Sequence, residues 1–133
     1  MGAYVAAQLI KAMIKKSIQI EGARVLVMGL AFKENCPDLR NTRVVDIVSE
    51  LQHYNIAVDV YDPWVSASEA DREYGITPIQ QPSAGSYDAI VLAVAHAEFK
   101  DLGSERIRPF GKVDSVIYDL KYLLPEDSAD LRL

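Results

Sequence analysis

Four short runs of apolar, mostly β-favouring residues constrain this chain more than any other feature: Arg24 to Met28, Ala57 to Tyr61, Ala89 to Val94 and Val116 to Asp119. The first is closed by Gly29, as a buried parallel strand should be, and the second is stopped by Asp62-Pro63. The third is the most apolar and reads as central, and the fourth follows a turn at Gly111. Helical or irregular stretches separate the runs. Parallel strands can be joined only through crossovers, and crossover helices cover both faces of the sheet. The alternation therefore predicts an α/β fold with an open, doubly wound parallel sheet of four strands.

The intervening segments carry helical signals. From Ala3 to Lys16, apolar residues at Ala3, Ala6, Ala7, Leu9, Ile10, Met13 and Ile14 span an arc of roughly 160°. That is wider than docking on one sheet usually requires, so either the whole arc packs within this chain or part of it meets another chain or domain. A second helix is expected to begin near Asn41 as its cap, with Val44, Ile47, Val48 and Leu51 on its apolar stripe, His53 on the solvated side and Asn55 at its end. Ser66 to Tyr74 reads as a short charged helix stopped by Gly75 in a left-handed conformation, and Pro78, Pro82 and Gly85 mark an irregular connection.

Composition narrows the function. A chain of 133 residues, half of them apolar, has enough core for one domain. The net charge of −5, with thinly spread basic residues, argues against nucleic acid as a partner. No apolar stretch is long enough to cross a bilayer and no secretory signal is visible, so a soluble, cytoplasmic protein is expected, with no membrane partner. The lone Cys36 agrees with a reducing compartment, and no cluster of metal-ligating residues stands out.

In such sheets ligands bind beyond the carboxyl ends of the strands, which directs attention to Gly29 to Thr42, Tyr61 to Val65, Ala95 to Phe99 and Asp119 to Leu123. The first segment is the richest. It leads from a buried strand to a helix amino terminus, where backbone N–H groups favour an anion, and Lys33 and Arg40 bring cations to the same rim. Read from spacing alone, these two residues either hold a phosphate or are surface charges paired with Glu34 and Asp38. Gly29 is the only glycine of the loop, so a dinucleotide pyrophosphate cannot lie flat against its backbone, and Asp62 as a ribose-binding acid is a weak signal without those glycines.

The run Gly29-Leu30-Ala31-Phe32-Lys33-Glu34-Asn35-Cys36-Pro37-Asp38-Leu39-Arg40-Asn41-Thr42, with Val58-Asp59-Val60-Tyr61-Asp62-Pro63 and Ala93-Val94-Ala95-His96, resembles the carboxyl-terminal domain of the UDP-glucose/GDP-mannose dehydrogenase family. Within it the chain is most similar to UDP-N-acetylhexosamine 6-dehydrogenases of capsule and O-antigen synthesis. The resemblance implies a Rossmann-like domain over residues 21–133 that closes over a UDP-sugar, preceded over residues 1–20 by the end of a long connecting helix that forms a homodimer core. It implies that Phe32 and Lys33 contact the nucleotide sugar and that Arg40 reaches across to NAD, itself bound mainly by an amino-terminal domain. Relatives carry a late Asp-Gly-Arg whose arginine reaches the substrate. Here the comparable residues are Asp119-Leu120-Lys121, which offers Lys121 for that role without arginine's bidentate geometry.

The family oxidises the C6 alcohol of the sugar to a carboxylate through two hydride transfers to NAD and a cysteine thioester. Cys36, in the binding-domain motif, is not the residue matching that nucleophile and is expected to be a small, buried or half-buried side chain. The catalytic cysteine is thus expected outside this chain, which would be inactive alone. His96 is expected to be a hydrogen-bonded structural histidine, and Trp64 either walls the cleft or packs. A second reading, a self-standing flavodoxin-like module that binds a small anion at Lys33 or Asp62 or serves signalling, remains open at this point.

Overall fold

The computed structural model describes residues 2–133. Its elements follow as α1 (Gly2–Lys15), β1 (Arg24–Met28), α2 (Val44–His53), β2 (Ala57–Tyr61), α3 (Ala67–Tyr74), β3 (Tyr87–Leu92), α4 (Ala97–Ile107), β4 (Gly111–Asp119) and β5 (Leu131–Arg132), with single 3-10 turns before β4 and β5. The strands form one sheet in the order β2-β1-β3-β4-β5, and every pairing is parallel. The sheet is open and doubly wound, as the alternation of runs requires.

Strand residues alternate between two cores. Val25, Val27, Ala89, Val91, Val116 and Tyr118 face the layer that holds α1 and α2. Leu26, Met28, Ile90, Leu92 and Ile117 face Phe99 and Ile107 of α4, with Leu124 closing that side. β1 from Val25, β3 from Ala89 and β4 from Ser115 are thus buried on both faces, which is why these stretches read as mostly apolar runs instead of alternating ones.

α1 lies on the first core with Val5, Ala6, Leu9, Ile10 and Met13 buried. Most of its wide apolar arc is therefore consumed within the chain, while Tyr4 and Ile14 remain exposed. α2 starts three residues later than Asn41. Asn41 is left-handed at φ 62°, which takes it out of the capping geometry, and the Thr42 hydroxyl instead accepts the N–H of Val44 at 3.2 Å. α3 behaves as its sequence says: Ser66 caps Glu69 N–H and Gly75 ends it at φ 67°.

Two elements exceed the expectation. α4 fills the β3–β4 crossover with few apolar residues and a break at Gly103 (φ 64°, ψ 177°). β5 is a fifth strand of two residues that touches β4 only at Tyr118 and Asp119. At the other edge, Ile79 makes a single bridge to Tyr61 and donates its N–H to Val60 O at 2.8 Å. Midway along that edge strand, the Asp59 carboxylate binds Arg24 at 3.1 Å and the Tyr87 hydroxyl at 2.7 Å.

Candidate functional site

The chain runs from β1 outward to β2 and then back across β1 to β3. The connections after β1 and β3 therefore leave in opposite directions and open a crevice beyond the strand ends. The long β1–α2 loop occupies this switch point. Gly29 begins it at φ 106°, where a Cβ would lie 2.6 Å from Val94 Cβ, so the close approach of the β1 and β3 ends requires glycine.

Buried polar side chains set the loop's course. Asp62, 5% exposed, accepts the N–H groups of Leu30 (2.7 Å) and Ala31 (2.9 Å) on Oδ2 and that of Trp64 (2.8 Å) on Oδ1. His96 Nε2 lies 2.9 Å from the same Oδ2. Burial pushes this carboxyl's pKa upward, but the bonds from His96, Leu30, Ala31 and Trp64 together outweigh that and hold it below the usual carboxylate range. Asn35 donates its N–H to His96 Nδ1 at 2.9 Å, Phe32 N–H closes on Asp38 O at 2.8 Å, and the Thr42 hydroxyl donates to Leu30 O at 2.7 Å. At the end of β4 a second buried acid acts likewise. Asp119 accepts the N–H groups of Lys121 (3.2 Å), Leu123 (3.1 Å) and Leu124 (2.9 Å), which fixes the turn that presents Lys121.

These supports bring Phe32, Lys33 and Lys121 together around one depression of about 290 Å³. Its walls are Ala31, Val44, Ile47, Ala93, Val94 and Leu120, and Arg43 and Glu34 stand at its rim with the two lysines. Lys33, Arg43 and Lys121 take part in none of the ion pairs among the described residues, so three cations and Glu34 line a depression whose other walls are mostly apolar. The amino end of α2 opens on the same space, and its dipole favours an anion there. The arrangement suits a ligand with a phosphate at its edge and a less polar body.

Arg40 is placed apart from the depression. Its guanidinium grips Asp38 with Nε at 3.1 Å and Nη2 at 3.2 Å, and its side chain is 86% exposed. The hydrogen bonds from Arg40 hold the Asp38 carboxyl below its ordinary range. Of the two surface pairings considered for this loop, Arg40–Asp38 is formed. Cys36 is half-buried, as expected for a small packed side chain. Asp62 is buried, with Leu30, Ala31 and His96 on Oδ2 and the N–H of Trp64 on Oδ1, so it braces its own chain and does not face the crevice as a ribose-binding acid would. Trp64 packs over the His96 ring with centroids 5.9 Å apart and donates Nε1–H to Glu98 at 2.9 Å.

Arg43 is the rim cation that residue patterns did not single out. The left-handed turn at Asn41, which moves the start of α2, is what brings it there. A larger hollow of about 610 Å³ lies at the amino ends of the strands. Its two lysines are held in ion pairs, Lys16 with Asp130 at 3.1 Å and Lys112 with Asp88 at 3.2 Å, and it sits opposite the switch point. The smaller depression is the better ligand site on both counts.

Sheet order, crossover helices and the cation-rimmed switch point together define a Rossmann-like α/β domain of the nucleotide-binding class. The chain belongs to the UDP-glucose/GDP-mannose dehydrogenase family, whose UDP binding domain matches residues 26–126. It is 68% identical over 133 residues to a UDP-N-acetyl-D-glucosamine 6-dehydrogenase of Pseudomonas aeruginosa, covering 100% of this chain and 32% of that protein. It is 58% identical over its whole length to the enzyme of the same name from Salmonella typhi, of which it covers 31%. The structure superposes on the UDP-D-ManNAc dehydrogenase of Pyrococcus horikoshii with a TM-score of 0.72 at 28% identity, over 93% of this chain and 28% of that one. The chain thus spans about a third of the length of the curated relatives it matches. The flavodoxin-like signalling module is not favoured by these relationships.

Proposed function

We propose that this chain holds the nucleotide sugar in an NAD-dependent UDP-sugar 6-dehydrogenase, with a UDP-N-acetylhexosamine as the preferred substrate and UDP-glucose as the related alternative. The observation that carries the reading is the convergence of Lys33, Arg43 and Lys121 on one apolar depression at the switch point. The cations suit the diphosphate and the apolar floor the rest of the ligand, with Phe32, 52% exposed at the mouth, available for contact. Identity of 68% to a UDP-N-acetyl-D-glucosamine 6-dehydrogenase supports the hexosamine preference.

The first βα turn does not fit a dinucleotide, because its loop has a single glycine and Asp62 is buried against the loop's own N–H groups. NAD, the hydride acceptor, would be held mainly by residues outside this chain, with Arg40 reaching it across a closed cleft. Its high exposure leaves that side chain able to exchange Asp38 for a phosphate. The nucleophilic cysteine would also lie outside, so the chain alone should yield no NADH from UDP-N-acetylglucosamine. Within residues 1–20 the helix itself is α1, which ends at Lys15 rather than running to residue 20; it would be the end of a connecting helix, and its exposed Tyr4 and Ile14 support a homodimer contact there. The single half-buried cysteine accords with a cytoplasmic setting.

Steady-state kinetics of the full-length enzyme that contains this chain test the site. Lys33→Ala should lower kcat/KM for the UDP-sugar by about tenfold or more and leave the KM for NAD unchanged. Arg40→Ala should raise the KM for NAD and spare UDP-sugar binding. Unaltered kinetics toward both ligands in both variants would reduce Lys33 and Arg40 to ordinary surface charges and overturn the assignment.

A further inference from the structure

Two of the supports of the β1–α2 loop, Asp62 and Asn35, meet at one imidazole, and the identity of its partners fixes its tautomer. The backbone N–H of Asn35 can only donate, so His96 Nδ1, 2.9 Å away, accepts and carries no proton. Nε2 is then the protonated nitrogen of a neutral ring and donates to Asp62 Oδ2. The ring is completely buried, with Trp64 stacked on it at 25° and Phe99 edge-on at 5.3 Å. His96 therefore joins the end of β2, through Asp62, to the tip of the loop, through Asn35, and only one tautomer satisfies both contacts. Asn35 itself is held in a left-handed conformation at φ 55°, and its Oδ1 accepts the N–H of Ala97 at 2.8 Å. Lys33 lies two residues from this anchor.

We propose that His96 is a positioning residue for ligand binding: as the Nε2–H tautomer it fixes the loop tip through Asn35 and thereby sets the direction of Lys33, without touching the ligand. This rests on the reading of the loop as the ligand-binding one. A histidine that merely filled space or oriented Asp62 would leave the same buried ring, so the two roles must be separated chemically. Asparagine places its Oδ1 where Nδ1 stands and retains the acceptor for Asn35. Glutamine places its amide nitrogen where Nε2 stands and retains only the donor to Asp62. Both substitutions remove the ring and cost packing, but they keep opposite halves of the bridge.

The test uses the 133-residue chain. Long-range ¹⁵N–¹H imidazole spectra of the unaltered protein should show His96 protonated at Nε2 alone. Without ligand, His96→Gln should speed exchange of the Asn35 amide by about tenfold or more, whereas His96→Asn should stay within about threefold of the parent. Titration with UDP should follow the same order, about tenfold weaker for His96→Gln and nearly unchanged for His96→Asn. An Nδ1–H tautomer, or equal behaviour of the two variants in amide exchange, would overturn the proposal. Variants that separate in Asn35 exchange while neither they nor the parent bind UDP would uphold the control of the loop and overturn the ligand reading of the site. The tautomer measurement stands even if a variant fails to fold.

Discussion

Asp62 stands at the end of β2, where a ribose-binding acid would stand, yet it is buried, bonded to the loop N–H groups of Leu30 and Ala31, to Trp64 N–H and to His96. Its place on a strand end is legible in the sequence; its partners are not, because Leu30 and His96 lie 32 and 34 positions away and no local spacing links them. His96 illustrates the same limit. As a hydrogen-bonded histidine it follows expectation, but its carboxylate partner arrives through the fold. Phe32 and Lys33 stand in the run that resembles the family and Lys121 at a position comparable to a relatives' arginine, and all three line the depression; Arg43, beside the left-handed turn at Asn41, lines it too and carried no sequence signal. Removing Asp62 leaves several buried donors without an acceptor, each costing on the order of 1–3 kcal/mol. Asp62→Ala should therefore destabilise the domain by about 3 kcal/mol or more, read as a lower urea midpoint. A loss of less than about 1 kcal/mol would mean that water replaces the carboxylate at little cost.

Among the elements, those with strong apolar periodicity are the ones a sequence reveals. α2 and the central strands are legible because burial on one stripe or on both faces leaves a pattern of apolar residues. α4 is not, since Phe99 and Ile107 are its only fully buried side chains and Gly103 interrupts it. β5 is too short for any pattern, having only two residues. α1 was legible as a helix, but the destination of its wide arc was not. Its Leu9 is fully buried, whereas Ile14 is 58% exposed. Leu9→Ala should cost about 3 kcal/mol of stability and Ile14→Ala less than about 0.5, measured by urea unfolding of the chain. Comparable losses at the two positions would show that the outer face of α1 is also covered in solution.

For the molecule as a whole, two hydrogen-bonded acids make stability depend on pH with a definite sign. Asp62, which is buried, and Asp130, which is exposed but bonded to Ile117 N–H and Lys16, both have folded-state pKa values below the ordinary carboxylate value. In each case desolvation raises the pKa and is outweighed: by the bonds described above for Asp62, and by the Ile117 N–H and Lys16 for Asp130. An acid depressed on folding stabilises the fold at every pH above its unfolded value of about 3.9, and that contribution disappears as pH falls through the folded value. The free energy of unfolding should be flat in these groups near pH 6 and fall steeply below about pH 4, and Asp62→Asn should flatten the fall. An acid limb unchanged by that substitution would place the dependence elsewhere. The same sheet also has unequal margins. One is β4, covered by the two-residue β5 only at Tyr118 and Asp119 and carrying the charged Lys112 and Asp114 at its other end; the other carries the charged Asp59 midway and is closed at its far end by Ile79. Neither margin offers an incoming chain a long, flat, apolar row of free amides and carbonyls, so at the crowding of a living cell these borders resist the templated fibre growth that an unguarded parallel sheet would invite.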